Sequence, residues 1–426
     1  MKIEQLHQYF LESKGICTDT RKITKGCLFF ALKGDKFDGN KFAQEALDKG
    51  ALKVVIDDLR FHKNTGETIL CANTLQLLQK LAAHHRKHLN IPIIAITGSN
   101  GKTTTKELMY AVLAQKFNTS ATVGNLNNHI GVPLTLLSMT SETELGIVEM
   151  GANHLKEIER LTAIIQPDYG FITNFGKSHL EGFGGMDGVI RGKSELYKYI
   201  NEHQKKVFVN GNDRKQVELT KTMKKVTFGN DEQDYYISLK DASKTVSVTF
   251  DGLEIRSRLI GIYNFHNIAA AIAIGAYFGV PPAKIKTAIE SYLPSMNRSQ
   301  IVELGGHKII LDAYNANPTS MMAALENFKQ AEGENKLMIL GDMFELGAEA
   351  EKEHQDITTF LEKNPFGNVL LVGSNFFKTK TKASHIVLLE SFEDLKNQLE
   401  AHKPSNTFML VKGSRGMALE RVLDLL

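Results

Sequence analysis

A lysine set between a glycine and three threonines, in Gly98-Ser99-Asn100-Gly101-Lys102-Thr103-Thr104-Thr105, offers the most direct chemistry in the chain. An apolar run, Ile91–Thr97, precedes it. Glycines let backbone N–H groups turn inward around phosphate oxygens, and a helix starting at the threonines adds partial positive charge. The Lys102 ammonium can reach the β- and γ-phosphates of a nucleotide, and the Thr103 hydroxyl can ligate Mg²⁺. The generic phosphate loop has a glycine five residues before its Gly-Lys pair. Ile96 stands there, so this loop is the shortened Gly-x-x-Gly-Lys-Thr.

Two further residues suit a metal-assisted phosphate site. Glu149 closes the strand expected over Gly146–Met150, at the edge where open α/β sheets bind ligands. A carboxylate there is a hard oxygen donor of the kind Mg²⁺ prefers. His179 ends Asn174-Phe175-Gly176-Lys177-Ser178-His179, just after another expected strand. His84, His85 and His88 also cluster, but Arg86 and Lys87 lie between them and no Cys or carboxylate is near. That pattern reads as a solvated helix face rather than a zinc site.

The elements that must hold these groups follow from pattern. Short apolar runs alternate with helical stretches, which implies doubly wound parallel sheets of the α/β class. Strands are expected at Cys27–Leu32, Lys53–Ile56, Ile91–Thr97, Gly146–Met150, Tyr169–Thr173 and Val207–Asn210. Further strands are expected at Ile309–Asp312, Lys336–Leu340, Val369–Val372 and Phe408–Val411. Val226–Leu259 reads as short alternating strands in an antiparallel appendage, followed by an apolar helix over His266–Phe278. At roughly 150 residues per domain, 426 residues suggest three domains. The expected divisions are 1–88, 89–297 and 298–426.

Composition narrows the class. Lys and Arg number 51 against 48 Asp and Glu, a formal net charge of +3, which disfavours a nucleic-acid partner. Three cysteines without a Cys-x-x-Cys argue for a reducing compartment. The longest nearly apolar run, Ile268–Val280, is shorter than the roughly 20 residues that cross a bilayer. A cytoplasmic protein without a membrane span is expected.

Thr97-Gly98-Ser99-Asn100-Gly101-Lys102-Thr103-Thr104 resembles the ATP loop of the Mur ligases, amide-forming enzymes that spend ATP to activate a carboxylate. The resemblance extends over nearly the whole chain. It implies a small α/β UDP-binding domain, a central P-loop-type parallel-sheet ATPase domain and a C-terminal Rossmann-like domain. It implies ATP bound by Gly98, Ser99, Asn100, Gly101, Lys102, Thr103 and Thr104, with Asn267 on the adenine, Arg298 on phosphate and Asp312 on ribose. Tyr263 stands where the family has a histidine, in Gly261-Ile262-Tyr263-Asn264-Phe265-His266-Asn267. The resemblance also implies that Thr103, Glu149, His179 and a carbamylated Lys193, in Gly192-Lys193-Ser194-Glu195, serve Mg²⁺. Lys102, Glu149, His179 and Lys193 are thus the implied catalytic set. Without the resemblance, Lys193 reads as an ordinary exposed lysine.

Substrate contacts are implied at Thr20, Arg21, Asn127, Asn128, Asn315 and Asn317. Thr18-Asp19-Thr20-Arg21 and Asp38-Gly39-Asn40 resemble the family's UDP-sugar-binding domain, with Asn40 in place of its histidine. Asp312-Ala313-Tyr314-Asn315-Ala316-Asn317-Pro318 resembles the members that add D-alanyl-D-alanine to UDP-N-acetylmuramoyl-tripeptide in peptidoglycan synthesis. Leu340-Gly341-Asp342-Met343-Phe344-Glu345-Leu346-Gly347 matches the same members. The implied reaction runs through an acyl phosphate, with closure of the third domain over the second. A monomer is expected. A switch ATPase and a catalytically silent homologue are the competing classes; the first lacks a use for Lys193, and the second is disfavoured by the complete catalytic set.

Overall fold

The computed structural model describes residues 1–229, 232–294 and 297–426. Of the second expected boundary, near Ser291–Asn297, Ser295 and Met296 lie outside the described residues.

The N-terminal sheet has four parallel strands in the order Ile16–Cys17, Leu28–Phe30, Lys53–Ile56, Thr68–Leu70. Side chains alternate across a strand, so its two faces carry different partners. Leu28, Phe30 and Val55 join Leu6, Phe10, Leu78 and Leu81 of two helices, Ile3–Glu12 and Thr74–Leu89. Phe29, Val54 and Ile56 cluster instead with Ala43 and Ala46 of helix Ala43–Asp48. The Asn73 side chain accepts from Gln76 N to start helix Thr74–Leu89, and Asn90, at φ 49°, stops it.

That helix passes residue 88 and ties the first domain to the second. Arg86 is buried and donates to Ile165 O at 3.0 Å and to the Asp168 carboxylate at 2.7 Å. His85 is buried as well: His7 Nε2 lies 3.0 Å from its Nδ1, and its Nε2 lies 3.0 Å from Met139 O. The solvated face expected over His84–His88 is therefore corrected. Half of it is an interface, because the helix packs against Ile3–Glu12 on one side and the middle domain on the other.

The middle sheet has seven parallel strands, with Ile93–Thr97 between Tyr169–Ile172 and Leu145–Glu149. From Ile93–Thr97 the chain winds first to one side of the sheet and then to the other. The loop after that strand therefore sits at the topological switch point, where such sheets bind ligands. Lys225–Gly229 and Tyr235–Tyr236 extend this sheet in parallel, so the antiparallel appendage is only Ser238–Asp241, Ser247–Phe250 and Leu253–Arg256. Alternation alone does not separate these cases, since both kinds of strand repeat every second residue. Helix Asn264–Tyr277, apolar nearly all round, is buried against Lys102–Leu113. Among the described residues, no helix is long and apolar enough to cross a membrane.

The C-terminal sheet runs Gln300–Leu304, His307–Asp312, Phe408–Lys412, Lys336–Gly341, Asn368–Val372, Ile386–Leu389. Only the first pair is antiparallel. One apolar cluster, from Leu6 through Ile93 to Leu410, is continuous through all three domains.

Candidate active site

Register brings the chemistry together. Glu149, the last residue of its strand, pairs with Ile96, and Ile172 pairs with Thr97. The carboxylate and the loop 98–103 thus leave the same edge of the sheet side by side. Beyond Ile172, Thr173 and Asn174 grip Asn100. Asn174 Oδ1 accepts from Asn100 N at 3.0 Å, its Nδ2 donates to Asn100 O at 2.9 Å, and Thr173 Oγ1 donates to the same carbonyl at 2.6 Å.

The two loop glycines are forced by contact. A Cβ on Gly98, at φ 141°, would lie 2.0 Å from Thr173 Oγ1. One on Gly101, at φ 78°, would lie 2.5 Å from Asn267 Oδ1. No other residue fits this curl. Lys102 folds back inside it, with Nζ donating to Gly98 O at 2.8 Å and Ser99 O at 3.2 Å. Burial lowers its pKa, and the Glu149 charge acts the other way.

Glu149 is 1% exposed. Its Oε1 accepts from Asn127 Nδ2 at 2.8 Å and from Thr103 Oγ1 at 3.2 Å. Its Oε2 is buried with no hydrogen-bond partner among the described residues. A buried carboxylate oxygen left bare costs free energy unless something binds it. Beside the Thr103 hydroxyl, that donor set fits a hard divalent cation such as Mg²⁺.

Lys193, on helix Met186–Glu202, is also 1% exposed, against the surface position that its sequence context alone suggests. Its Nζ donates to Ala152 O at 3.1 Å and lies 5.0 Å from the Phe183 ring centroid. Burial first, and the Lys102 charge second, push its pKa well below the usual lysine value. A neutral, nucleophilic amine is the form that carbamylation requires.

One cavity of about 1470 Å³ joins the three domains. It is lined by Ser99 to Thr104, Asn127, Asn128, Glu149, His179 and Asn267, and from the C-terminal domain by Arg298, Asp312, Asn315 and Asn317. Gly98 and Lys193 lie outside that lining, as do Thr20 and Arg21. Arg21 pairs with Asp19 at 2.8 Å on the surface. Asn40, fully buried, is spent on Asp38 and Asp57.

Several expected contacts have internal partners. Asn267 Oδ1 accepts from Thr105 Oγ1 at 3.0 Å, and its Nδ2 donates to Asn264 at 2.8 Å. Asp312 accepts from Ser299 N at 3.1 Å and pairs with the buried Lys412 ammonium at 2.5 Å. Asn128 Oδ1 accepts from Ile130 N and Gly131 N at a helix start. Arg298 stacks on Tyr314, its Cζ 3.7 Å from the ring centroid, and its buried Nε has no partner among the described residues. A guanidinium so placed suits phosphate.

Family models match along the chain in order. They are "Mur ligase family, catalytic domain" at residues 12–86, "Mur ligase middle domain" at 96–275 and "Mur ligase, glutamate ligase domain" at 297–415. UDP-N-acetylmuramoyl-tripeptide--D-alanyl-D-alanine ligase of Bacillus subtilis (strain 168) is 34% identical over 96% of this chain and 92% of its own length. The chain belongs to the Mur ligase family. The fold of this Mur ligase superposes on crystal structure I of MurF from Acinetobacter baumannii with a TM-score of 0.86. That pair is 31% identical, covering 100% of this chain and 98% of the other. MurF ligase from Thermotoga maritima in complex with ADP gives a TM-score of 0.84 at 25% identity, over 98% and 97% of the two chains.

The sequence marks the turn Lys412-Gly413-Ser414-Arg415-Gly416 as a candidate anion site of this Mur ligase, but it assigns no role to Glu345 and no partner to Lys412. Their chain neighbours show nothing of the groups they meet. Glu345 reaches His179, and Lys412 reaches Asp312, only because the third domain docks and its sheet takes the register it does.

Proposed function

We propose that this Mur ligase joins D-alanyl-D-alanine to UDP-N-acetylmuramoyl-tripeptide with the breakdown of ATP to ADP and phosphate, making the UDP-linked pentapeptide for peptidoglycan. The observation that carries the reading is one meeting point. The ATP loop and the Tyr314-Asn315-Ala316-Asn317-Pro318 segment line the same cavity, and Asn317 Nδ2 donates to Asn100 Oδ1 at 2.7 Å. The B. subtilis relative, named for this reaction, supports it over 96% of this chain.

The tripeptide's terminal carboxylate attacks the γ-phosphorus of ATP, giving an acyl phosphate and ADP. The dipeptide amine then attacks the acyl carbon and phosphate leaves. The first step brings two anions together, and Lys102 offsets that repulsion as charge spreads over the transferring oxygens. Loop amides 98–103 face the phosphates, and the Arg298 guanidinium adds a second cation from the C-terminal domain. Thr103, Glu149, His179 and carbamylated Lys193 would hold Mg²⁺, which neutralises polyphosphate charge when bound. Carbamylation would turn the buried Lys193 from a cation into an oxygen donor. Asn127 holds the Glu149 carboxylate in place.

An acyl phosphate survives only away from water. The contacts between the middle and C-terminal domains support such exclusion: Lys177 pairs with the buried Glu353 at 2.5 Å, and Lys177 N donates to Thr319 Oγ1 at 2.9 Å. The nucleotide-linked substrate supports a cytoplasmic site of action.

A substrate panel tests the reading. UDP-muramoyl peptides of two and three residues are crossed with D-alanyl-D-alanine and free diamino acids. ADP and a longer peptide should appear together only with the tripeptide and the dipeptide. ADP release without peptide growth, or none under any pairing, overturns it.

A further inference from the structure

The C-terminal domain sends one carboxylate to the edge of the phosphate site. Glu345 lies between strand Lys336–Gly341 and helix Ala350–Lys363, and its Oε2 abuts His179 Nδ1. Its backbone carbonyl accepts from Glu181 N at 3.2 Å, so main chain and side chain both engage the segment that carries His179. Among the described residues the His179 ring makes no hydrogen bond, and the Glu345 carboxylate is its one ion-pair contact.

Both partners hold left-handed backbone, at φ 52° for His179 and φ 61° for Glu345. Such positions are strained for residues with a side chain and persist where the surroundings over-determine them. Here they do. Asp342 accepts from Asn375 N and Phe376 N at 2.9 Å each. Met343 N donates to His354 Nε2 at 3.0 Å, and Phe344 N donates to Ser414 Oγ at 2.9 Å. The three residues before Glu345 are therefore pinned to the C-terminal sheet and its helices. Glu345 arrives at His179 as a rigid part of its own domain.

We propose that Glu345 is a positioning residue, which orients the His179 ring through Nδ1 and does so only while the C-terminal domain is docked. A carboxylate set beside Nδ1 favours the proton there, which leaves the Nε2 lone pair as the ligating atom. The middle domain alone then carries Thr103 and Glu149 but a loose His179. Docking completes the metal site, so phosphoryl transfer waits for the closed, drier state. This inference rests on the ligase reading above and adds how that site is assembled.

Glu345→Ala and Glu345→Gln test it, because the glutamine amide oxygen still accepts from Nδ1–H. Removing a metal ligand's outer partner typically costs about 10- to 100-fold in activity or metal affinity. Glu345→Ala should lower kcat by that range and raise the half-saturating Mg²⁺ about tenfold, with KM for the tripeptide changed by less than about twofold. Glu345→Gln should return kcat to within about threefold of wild type. Adding Glu345→Ala to His179→Ala should cost nothing further, since the pair acts as a unit. Mn²⁺ titration of the full-length protein with ADP, followed by electron paramagnetic resonance, reads metal affinity without turnover and should weaken about tenfold in Glu345→Ala. Unchanged Mn²⁺ affinity, additive losses, or a glutamine variant as impaired as alanine each overturn the proposal. Wild type that binds Mn²⁺ yet makes no ADP with tripeptide and dipeptide sinks the ligase reading, and the titration still decides Glu345.

Discussion

Asn317 uses its two amide atoms on two different domains. Its Nδ2 donates to Asn100 Oδ1 at 2.7 Å across the interdomain cleft, while its Oδ1 accepts from Ser320 N at 2.9 Å. The second bond closes a capping box on helix Pro318–Gln330. One residue thus starts a helix and ties that helix to the ATP loop.

Asn317→Asp separates the two roles. A carboxylate still caps the helix but cannot donate to Asn100, so the melting temperature should stay within about 3 °C of wild type. ADP formation should fall about tenfold as the cleft loses the shorter of its two bonds to Asn100 and gains a like-charged neighbour for phosphate. Asn317→Ala loses the cap as well, at a further cost of about 1 kcal/mol in stability. Thermal melts beside steady-state ADP release separate the variants. Wild-type turnover in Asn317→Asp would reduce the residue to a cap.

Lys102→Ala should abolish ATP-dependent amide formation while leaving the fold intact. Among the described residues the side chain bonds only to Gly98 O and Ser99 O in its own loop, so its loss disturbs little packing. Loss of a cation aimed at the transferring phosphoryl group costs on the order of 10³-fold in rate. Circular dichroism and phosphate release measured on one preparation check both halves. Near-normal turnover would remove the loop from the mechanism.

The phosphate loop was legible in the sequence because its working parts are consecutive: strand, glycines, lysine and helix start lie within residues 93–105. Alternating apolar runs likewise disclosed most central strands, including Lys53–Ile56 and Val369–Val372. What stayed hidden depends on partners far along the chain. Lys412 meets Asp312 only through strand register, Lys193 is buried only because its helix packs toward Ala152, and His85 is covered by two other elements. Two-residue strands such as Tyr235–Tyr236 are too short to show a period at all.

Under the proposed carbamylation, Lys193→Ala should be inactive and partly restored by short carboxylic acids, whose oxygens would stand in for those of a carbamate. The buried site around Ala152 O and Phe183 leaves a space of about the lost chain for them. Labelled bicarbonate should appear as a carbamate carbon in wild type and not in the variant. Full activity without added acid would show that Lys193 serves packing alone.

Acid sensitivity should arise far from the phosphate site, at the joint between the first two domains. Met139 O can only accept, so His85 Nε2 carries a proton and its Nδ1 is free to accept from His7 Nε2–H. That chain is satisfied with both rings neutral. Burial, then the neighbouring His85, His84 and His88, pull His7 from 6.5 down to about 4, and burial lowers His85 too. Folded-state values below the unfolded one mean that the unfolded chain binds more protons as pH falls. Stability from these groups is therefore complete above about 6.5 and is lost as pH drops toward about 4. His7→Gln keeps a donor for His85 and cannot titrate, so its melting temperature should fall less steeply between pH 6.5 and 4.5 than that of wild type. Equal slopes would place the acid-sensitive groups elsewhere.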